Sequence, residues 1–166
     1  MSHRPKSIRP GPGQESVWDY PRPPRLEQVG ETLRVIFAGE TIAETGQGYR
    51  VLETSHPPVY YFPPTDVRLD ALVPELDYSL CEFKGLACYW TLDLGHARAS
   101  KAAWSYPAPT KNFYPIKDYL AFYPSRVDSC WVGGERVRAQ AGDFYGGWIT
   151  SRVVGPFKGE PGTSGW

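Results

Sequence analysis

The chain has no long apolar segment and no excess of charge, and each absence excludes a class of protein. Its apolar runs are far shorter than the roughly 20 residues that span a bilayer, and its N-terminus shows no signal-peptide core. Lys and Arg together number 18, as do Asp and Glu, so the chain lacks the basic surface typical of nucleic-acid binding. We therefore expect a soluble, cytoplasmic protein with no nucleic-acid or membrane partner.

Cysteine is also scarce. The three cysteines are too few for the disulfide framework of a small secreted protein, and no Cys-x-x-Cys pair suggests a zinc site. Cys81 and Cys88 could form a disulfide, or could bind a metal together with Cys130, His56 or His96. Because their spacing places both on an apolar strand face, buried free thiols are favoured. We expect no metal and no cofactor.

Sustained helical segments are missing as well, because 17 Gly and 17 Pro interrupt the chain. Short alternating segments between tight turns predict strands instead. The dipeptide Gly133-Gly134, for example, predicts the turn between strands at 127–132 and 135–139. The sequence therefore predicts an all-β domain, built from two antiparallel sheets that meet at an angle.

The two ends of the chain differ from its middle. Residues 1–31 are rich in Pro, and residues 142–166 combine many Gly with aromatics such as Phe144 and Tyr145. Disordered tails rarely carry such aromatics. We therefore expect two irregular arms docked on a β domain at 32–141. A homo-oligomer formed through these arms stays open as an alternative.

Residues 80–94 predict a hairpin with the two-residue turn Lys84-Gly85. In that register Cys81 lies opposite Cys88, and both side chains face the core. Tyr89 then faces the opposite, more polar side. The hairpin is thus expected to separate its thiols from its tyrosine.

Between residues 50 and 104, polar side chains are interleaved with aromatic rings, a composition typical of a small-molecule pocket. Pro57-Pro58 interrupts the strand pattern, so side chains before and after it can face the same space. We expect a cleft that binds an unknown small molecule, in which polar groups orient the ligand and rings form the walls. The polar residues are Glu53, His56 and Lys84, and the aromatic residues are Tyr60, Tyr61, Tyr89 and Trp104.

Two other classes of function stay open. Glu53 and His56 could perform acid–base catalysis, which makes an enzyme one alternative. Ser55 is not expected to act as a nucleophile with His56, because adjacent residues of an extended chain point in opposite directions. A protein-interaction module that uses the terminal arms is the other alternative.

The motifs RVLETSHPPVYYFP, CEFKGLACYW, AAWSYP and YLAFYP resemble the bacterial and fungal family called domain of unknown function 427, sometimes labelled nucleotidyltransferase-like. The resemblance runs from about Thr32 to Ala139, and GDFYGGWITSRVVGPFKG resembles an extension found in one subgroup. It implies a small all-β fold similar to the β-tent, and no defined activity. The chain itself shows neither a P-loop nor the paired Asp residues that hold two magnesium ions in nucleotide transfer.

Overall fold

The structure, a computed structural model, describes residues 5–142 and 144–166. Residues 1–4 of the expected N-terminal arm, including His3, and Asp143 of the C-terminal segment lie outside the described residues. The described helices are short 3-10 helices at Val17–Asp19, Pro64–Asp66, Leu69–Ala71, Lys111–Ile116 and Pro124–Arg126. In this part of the chain, no helix has the length and apolar character required to cross a membrane.

Most of the regular structure is β-strand. The strands are β1 (Glu15–Ser16), β2 (Arg25–Gln28), β3 (Leu33–Phe37), β4 (Glu40–Thr45), β5 (Tyr49–Leu52), β6 (Val59–Tyr61), β7 (Leu72–Cys81), β8 (Gly85–Asp93), β9 (Arg98–Ser105), β10 (Ala121–Phe122), β11 (Ser129–Val132), β12 (Glu135–Arg136), β13 (Arg138–Ala139), β14 (Trp148–Ile149) and β15 (Val153–Val154). The prediction of an all-β domain is confirmed.

The strands form three main antiparallel sheets. One has the order β10-β9-β8-β7, the second β12-β11-β3-β4 and the third β2-β5-β6. Two further pairs, β1-β15 and β13-β14, are small sheets of two strands each. The sequence predicted two sheets. In the third, β5 pairs with β6 on one side and with β2 of the Pro-rich N-terminal segment on the other.

The two terminal segments dock by contacting each other. Strands β1 and β15 pair in parallel, and Val17 next to β1 is fully buried. The rings of Trp18 and Trp166 lie 5.1 Å apart, and Trp18 Nε1 donates a hydrogen bond of 2.9 Å to the Pro156 carbonyl oxygen. The arms are therefore docked as expected, although both contain short strands.

The main core is built largely from aromatic rings. Phe62 and Phe122 pack edge to face with ring centroids 5.6 Å apart, and both are fully buried. Trp148 of β14 lies against Phe62 and also against Tyr60, whose ring centroid is 5.0 Å away. The C-terminal segment thus contributes a fully buried tryptophan to the core of the β domain.

The predicted Gly133-Gly134 turn is confirmed, because Val132 pairs with Glu135. The predicted Lys84-Gly85 turn is wrong. Residues 82–84 form the connection, so Cys81 pairs with Gly85 instead of Cys88.

Contacts with a distant segment explain this three-residue turn. The Thr110 N–H donates to the Lys84 carbonyl oxygen at 3.0 Å, and Thr110 Oγ1 donates to the Phe83 carbonyl oxygen at 2.5 Å. Gly85 has a φ of +110°, and a Cβ there would lie 3.2 Å from the Ala108 carbonyl oxygen. Residues 108–110 therefore hold the turn in a conformation that the local sequence does not indicate.

The changed register also changes which way the thiols face. Ser79 pairs with Ala87, so Cys81 shares a face with Ala87 and Tyr89, whereas Cys88 points to the other side. The prediction that both cysteines share a core face is therefore wrong. All three cysteines are free thiols: Cys81 and Cys88 are half-buried, and Cys130 is buried.

Candidate functional site

A cavity of about 240 Å³ lies between the β7–β8 hairpin, strand β6 and the residues that follow β13. The loop between β5 and β6 and the strand β9 complete its walls. The lining side chains thus come from parts of the chain that are far apart in sequence. Of the seven residues selected in the sequence analysis, six lie in the wall of this cavity: Glu53, His56, Tyr61, Lys84, Tyr89 and Trp104.

Tyr60, the seventh, does not line it. Adjacent residues of a strand face opposite sides, so Tyr60 and Tyr61 of β6 point in different directions. Tyr60 packs on Trp148 and lines a second, polar cavity that also contains Arg50. The structure therefore places Tyr60 away from the other selected residues.

Aromatic rings form one wall of the cavity. Trp104 packs against Tyr123 with centroids 4.6 Å apart and against Tyr61 at 6.4 Å, and Tyr106 lies 6.4 Å from Tyr61. Burial raises the pKa of Tyr106 and Tyr123, and it raises that of Tyr61 despite the opposing charge of Lys84. These phenols are therefore neutral hydrogen-bonding groups at physiological pH.

The C-terminal segment closes the cavity over Trp104. A Cβ at Gly146 would lie only 2.2 Å from Trp104 Cη2, so the backbone approaches the indole more closely than any side chain would allow. Tyr145 contributes a ring 5.3 Å from that of His56, and Tyr123 donates a hydrogen bond of 3.2 Å to the Phe144 carbonyl oxygen. This segment is therefore part of the cavity wall.

Glu53 and His56 lie in a tight turn between β5 and β6. The His56 N–H donates to the Glu53 carbonyl oxygen at 3.0 Å, and Ser55 between them has a φ of +73°. The Glu53 carboxylate accepts a hydrogen bond of 3.2 Å from Arg22 Nη2. His56 Nε2 is 3.8 Å from the same carboxylate oxygen, Oε2. Arg22 therefore partly neutralises the acidic group of the cavity.

Gln140 fixes the protonation state of His56. Its Oε1 accepts from the Gly147 N–H at 3.1 Å, so its amide nitrogen is the atom that faces Lys158 and His56. That nitrogen donates to the Lys158 carbonyl oxygen at 2.7 Å and lies 3.2 Å from His56 Nδ1. Nδ1 must then be an acceptor, which favours the neutral imidazole. Burial, opposed by Glu53, lowers the pKa of His56 to about 4.

Lys84 is buried although it lies in a turn. Only 9% of its surface is exposed, and its Nζ lies 6.0 Å from the centroid of the Tyr106 ring. Burial acts to lower the pKa of Lys84, but Tyr61, Cys81 and Glu53 outweigh it and raise the pKa. Lys84 is therefore an ammonium group at the cavity surface.

The structure adds lining residues that the sequence analysis did not select. Tyr106 and Tyr123 each precede a Pro at the end of a buried strand, in the motifs AAWSYP and YLAFYP, and this shared pattern could have identified them. Cys81 lines the cavity because of the three-residue turn, and no local pattern marks Gln140. Among the described residues, no three His, Cys, Asp or Glu side chains are positioned to hold a metal ion.

Together the fold and the cavity define a small all-β domain with a cavity lined by aromatic rings and a few ionisable groups. The chain belongs to the family called domain of unknown function DUF427, whose model matches residues 25–133. The match begins with β2, before the expected start at Thr32, and ends just after β11. No curated protein matches the chain. The C-terminal residues that close the cavity lie outside the matched range.

Proposed function

We propose that this protein binds a small molecule with a planar apolar part in the cavity beside Trp104. The observation that carries the proposal is the convergence of aromatic rings and ionisable side chains on one cavity of about 240 Å³. An apolar cavity of roughly 150 Å³ is enough to take up benzene. The cavity therefore has room for a single ring with a polar substituent.

The surrounding structure supports binding by a largely preformed site. Tyr89 and Trp104 are cross-strand partners on β8 and β9, and Tyr89 also hydrogen-bonds Ser79 on β7 at 2.8 Å. Side chains that are held by sheet pairing lose little conformational entropy when a ligand arrives. The wall of aromatic side chains therefore favours planar ligands over flexible ones.

The acid–base alternative has less support than binding. A general base works best when its pKa is close to the operating pH, and burial lowers the pKa of His56 to about 4. The Glu53 carboxylate is engaged by Arg22. The interaction alternative also has less support, because Trp18 and Tyr20 of the N-terminal arm are buried within the domain itself.

The two half-buried cysteines allow a direct test of binding. Cys81 lines the cavity, while Cys88 lies on the opposite face of the same hairpin. In a screen of planar aromatic fragments, we expect bound fragments to slow alkylation of Cys81 by iodoacetamide and to leave Cys88 unchanged. Peptide mass spectrometry after short reaction times measures both rates in the same sample.

Cys88 is the internal control, because it reports any general change in stability or reagent concentration. Cys130 provides a second reference: burial raises its pKa, so it should react slowly throughout. Equal protection of Cys81 and Cys88, or no protection of Cys81 by any fragment, would contradict the proposed function.

A further inference from the structure

We infer that the ligand is a monoanion whose carboxylate pairs with Lys84 inside the cavity. This inference rests on the proposed function and specifies the chemical class of the ligand. It starts from the surroundings of Lys84. Lys84 forms no ion pair with any of the residues that the structure describes, although its surface is only 9% exposed.

A buried ammonium without an anionic partner is unfavourable. Removing a charge from water costs several kcal/mol unless a counter-charge and hydrogen bonds compensate for it. The neighbouring Tyr106 ring and Cys81 thiol are weak partners for an ammonium, and Glu53 raises the pKa of Lys84 only through Coulombic attraction. The Lys84 ammonium therefore has no ion-pair partner among the described residues, and its remaining hydrogen-bond donors are available to an anionic ligand.

The backbone prevents Lys84 from escaping to solvent. A lysine in a surface turn usually extends its ammonium into water. Here the Thr110 N–H binds the Lys84 carbonyl oxygen, and the positive φ of Gly85 completes a turn that directs the side chain inward. The fold thus holds the Lys84 ammonium at the cavity.

The other ionisable groups of the cavity are already compensated. Glu53 pairs with Arg22, and His56 is neutral because Gln140 faces its Nδ1. Among the described lining residues, Lys84 is the single cationic side chain. One fixed positive charge neutralises a carboxylate, whereas a phosphate dianion would leave a second buried charge without a partner, which costs free energy. A cationic ligand would be repelled. The phenols of Tyr61 and Tyr106 supply additional hydrogen-bond donors in the same cavity.

Benzoate, benzamide and phenyl phosphate are the probes for this inference. Benzoate and benzamide have nearly the same shape and differ in charge, whereas phenyl phosphate carries a dianion. We expect calorimetry to show that the protein binds benzoate about tenfold or more tightly than benzamide, the effect of one charge-assisted hydrogen bond. Phenyl phosphate is expected to bind more weakly than benzoate.

Two variants test whether Lys84 causes the preference. Lys84→Met keeps the length of the side chain and removes its charge, so benzoate and benzamide should then bind equally. Lys117→Met is the matched control, because Lys117 is exposed and also lies over a tyrosine ring, that of Tyr114 at 5.8 Å. The Lys117→Met variant should still bind benzoate more tightly than benzamide. If Lys84→Met does not fold, the relative affinity for benzoate and benzamide is measured in Lys84→Gln and compared with that of the wild type.

The outcomes separate this inference from the proposed function. If benzamide protects Cys81 and binds as tightly as benzoate, the cavity binds small molecules but the inference is overturned. Tighter binding of phenyl phosphate, or an unchanged preference in Lys84→Met, also overturns it. If none of the probes binds and none protects Cys81, the inference fails together with the proposed function.

Discussion

Replacing Trp148 with alanine is expected to destabilise the protein by about 3–5 kcal/mol, the usual cost of removing a buried Trp. Trp148 has no exposed surface, and its ring packs on Tyr60 and Phe62. Its Nε1 donates a hydrogen bond of 3.0 Å to the Phe122 carbonyl oxygen, which would lose its partner in the variant. Urea denaturation of Trp148→Ala and the wild type measures the difference in the free energy of unfolding.

Phe144→Ala is the matched control for this substitution. Phe144 belongs to the same C-terminal segment, but 64% of its surface is exposed, so its removal should change stability by less than about 0.5 kcal/mol. A loss below about 1 kcal/mol for Trp148→Ala would contradict the role of Trp148 in the core. The expected large loss would show that residues outside the matched family range are part of the domain.

Stability is also expected to fall by about 2 kcal/mol between pH 7 and pH 5 because of His56. An unfolded His has a pKa near 6.5, whereas burial lowers that of folded His56 to about 4. Between these values the unfolded chain takes up a proton that the folded protein does not. The contribution of His56 is therefore fully present above about pH 6.5 and is lost as the pH falls toward 4. Urea denaturation across this range measures the slope.

His56→Gln should flatten this pH dependence, and His96→Gln should leave it unchanged because His96 is exposed. Carboxylates change the free energy of unfolding only at more acidic pH. Burial alone would raise the pKa of Glu15, but hydrogen bonds from Arg50 and Tyr20 lower it, so its contribution is lost only below about pH 4.5. An identical slope in His56→Gln and the wild type would show that folded His56 titrates normally.

Gln140 offers a second way to examine His56. In Gln140→Glu a carboxylate would face Nδ1 and would accept a hydrogen bond from the protonated ring, so the pKa of His56 should rise. The loss of stability between pH 7 and pH 5 should then become smaller than in the wild type. NMR titration of the His56 ring reports this change directly.

Much of the cavity could be predicted from the sequence because its parts are locally arranged. Glu53, His56 and Tyr61 belong to one strand–turn–strand unit, and Pro57 between them ends the regular alternation. Tyr89 and Trp104 lie on consecutive strands and become direct cross-strand partners. Neighbouring strands in sequence usually pair, so interleaved polar and aromatic residues in such a segment meet on one side of a sheet.

Tyr60 shows where a residue pattern is ambiguous. The doublet Tyr60-Tyr61 places one ring on each face of β6, and the alternation does not say which face borders the cavity. The answer depends on Trp148, which is far away in sequence and packs on Tyr60. Tyr61 is thereby left to line the cavity.

The sequence by itself determined that this protein is an all-β domain, because its many Gly and Pro residues prevent long helices and set tight turns such as Gly133-Gly134. Only the tertiary structure decided that Lys84 is buried and that His56 is held neutral. Both depend on hydrogen bonds across long stretches of chain, from Thr110 to Lys84 and between Gln140 and His56. Such bonds leave no periodic pattern in the sequence, since they form only when the packed sheets bring distant residues together.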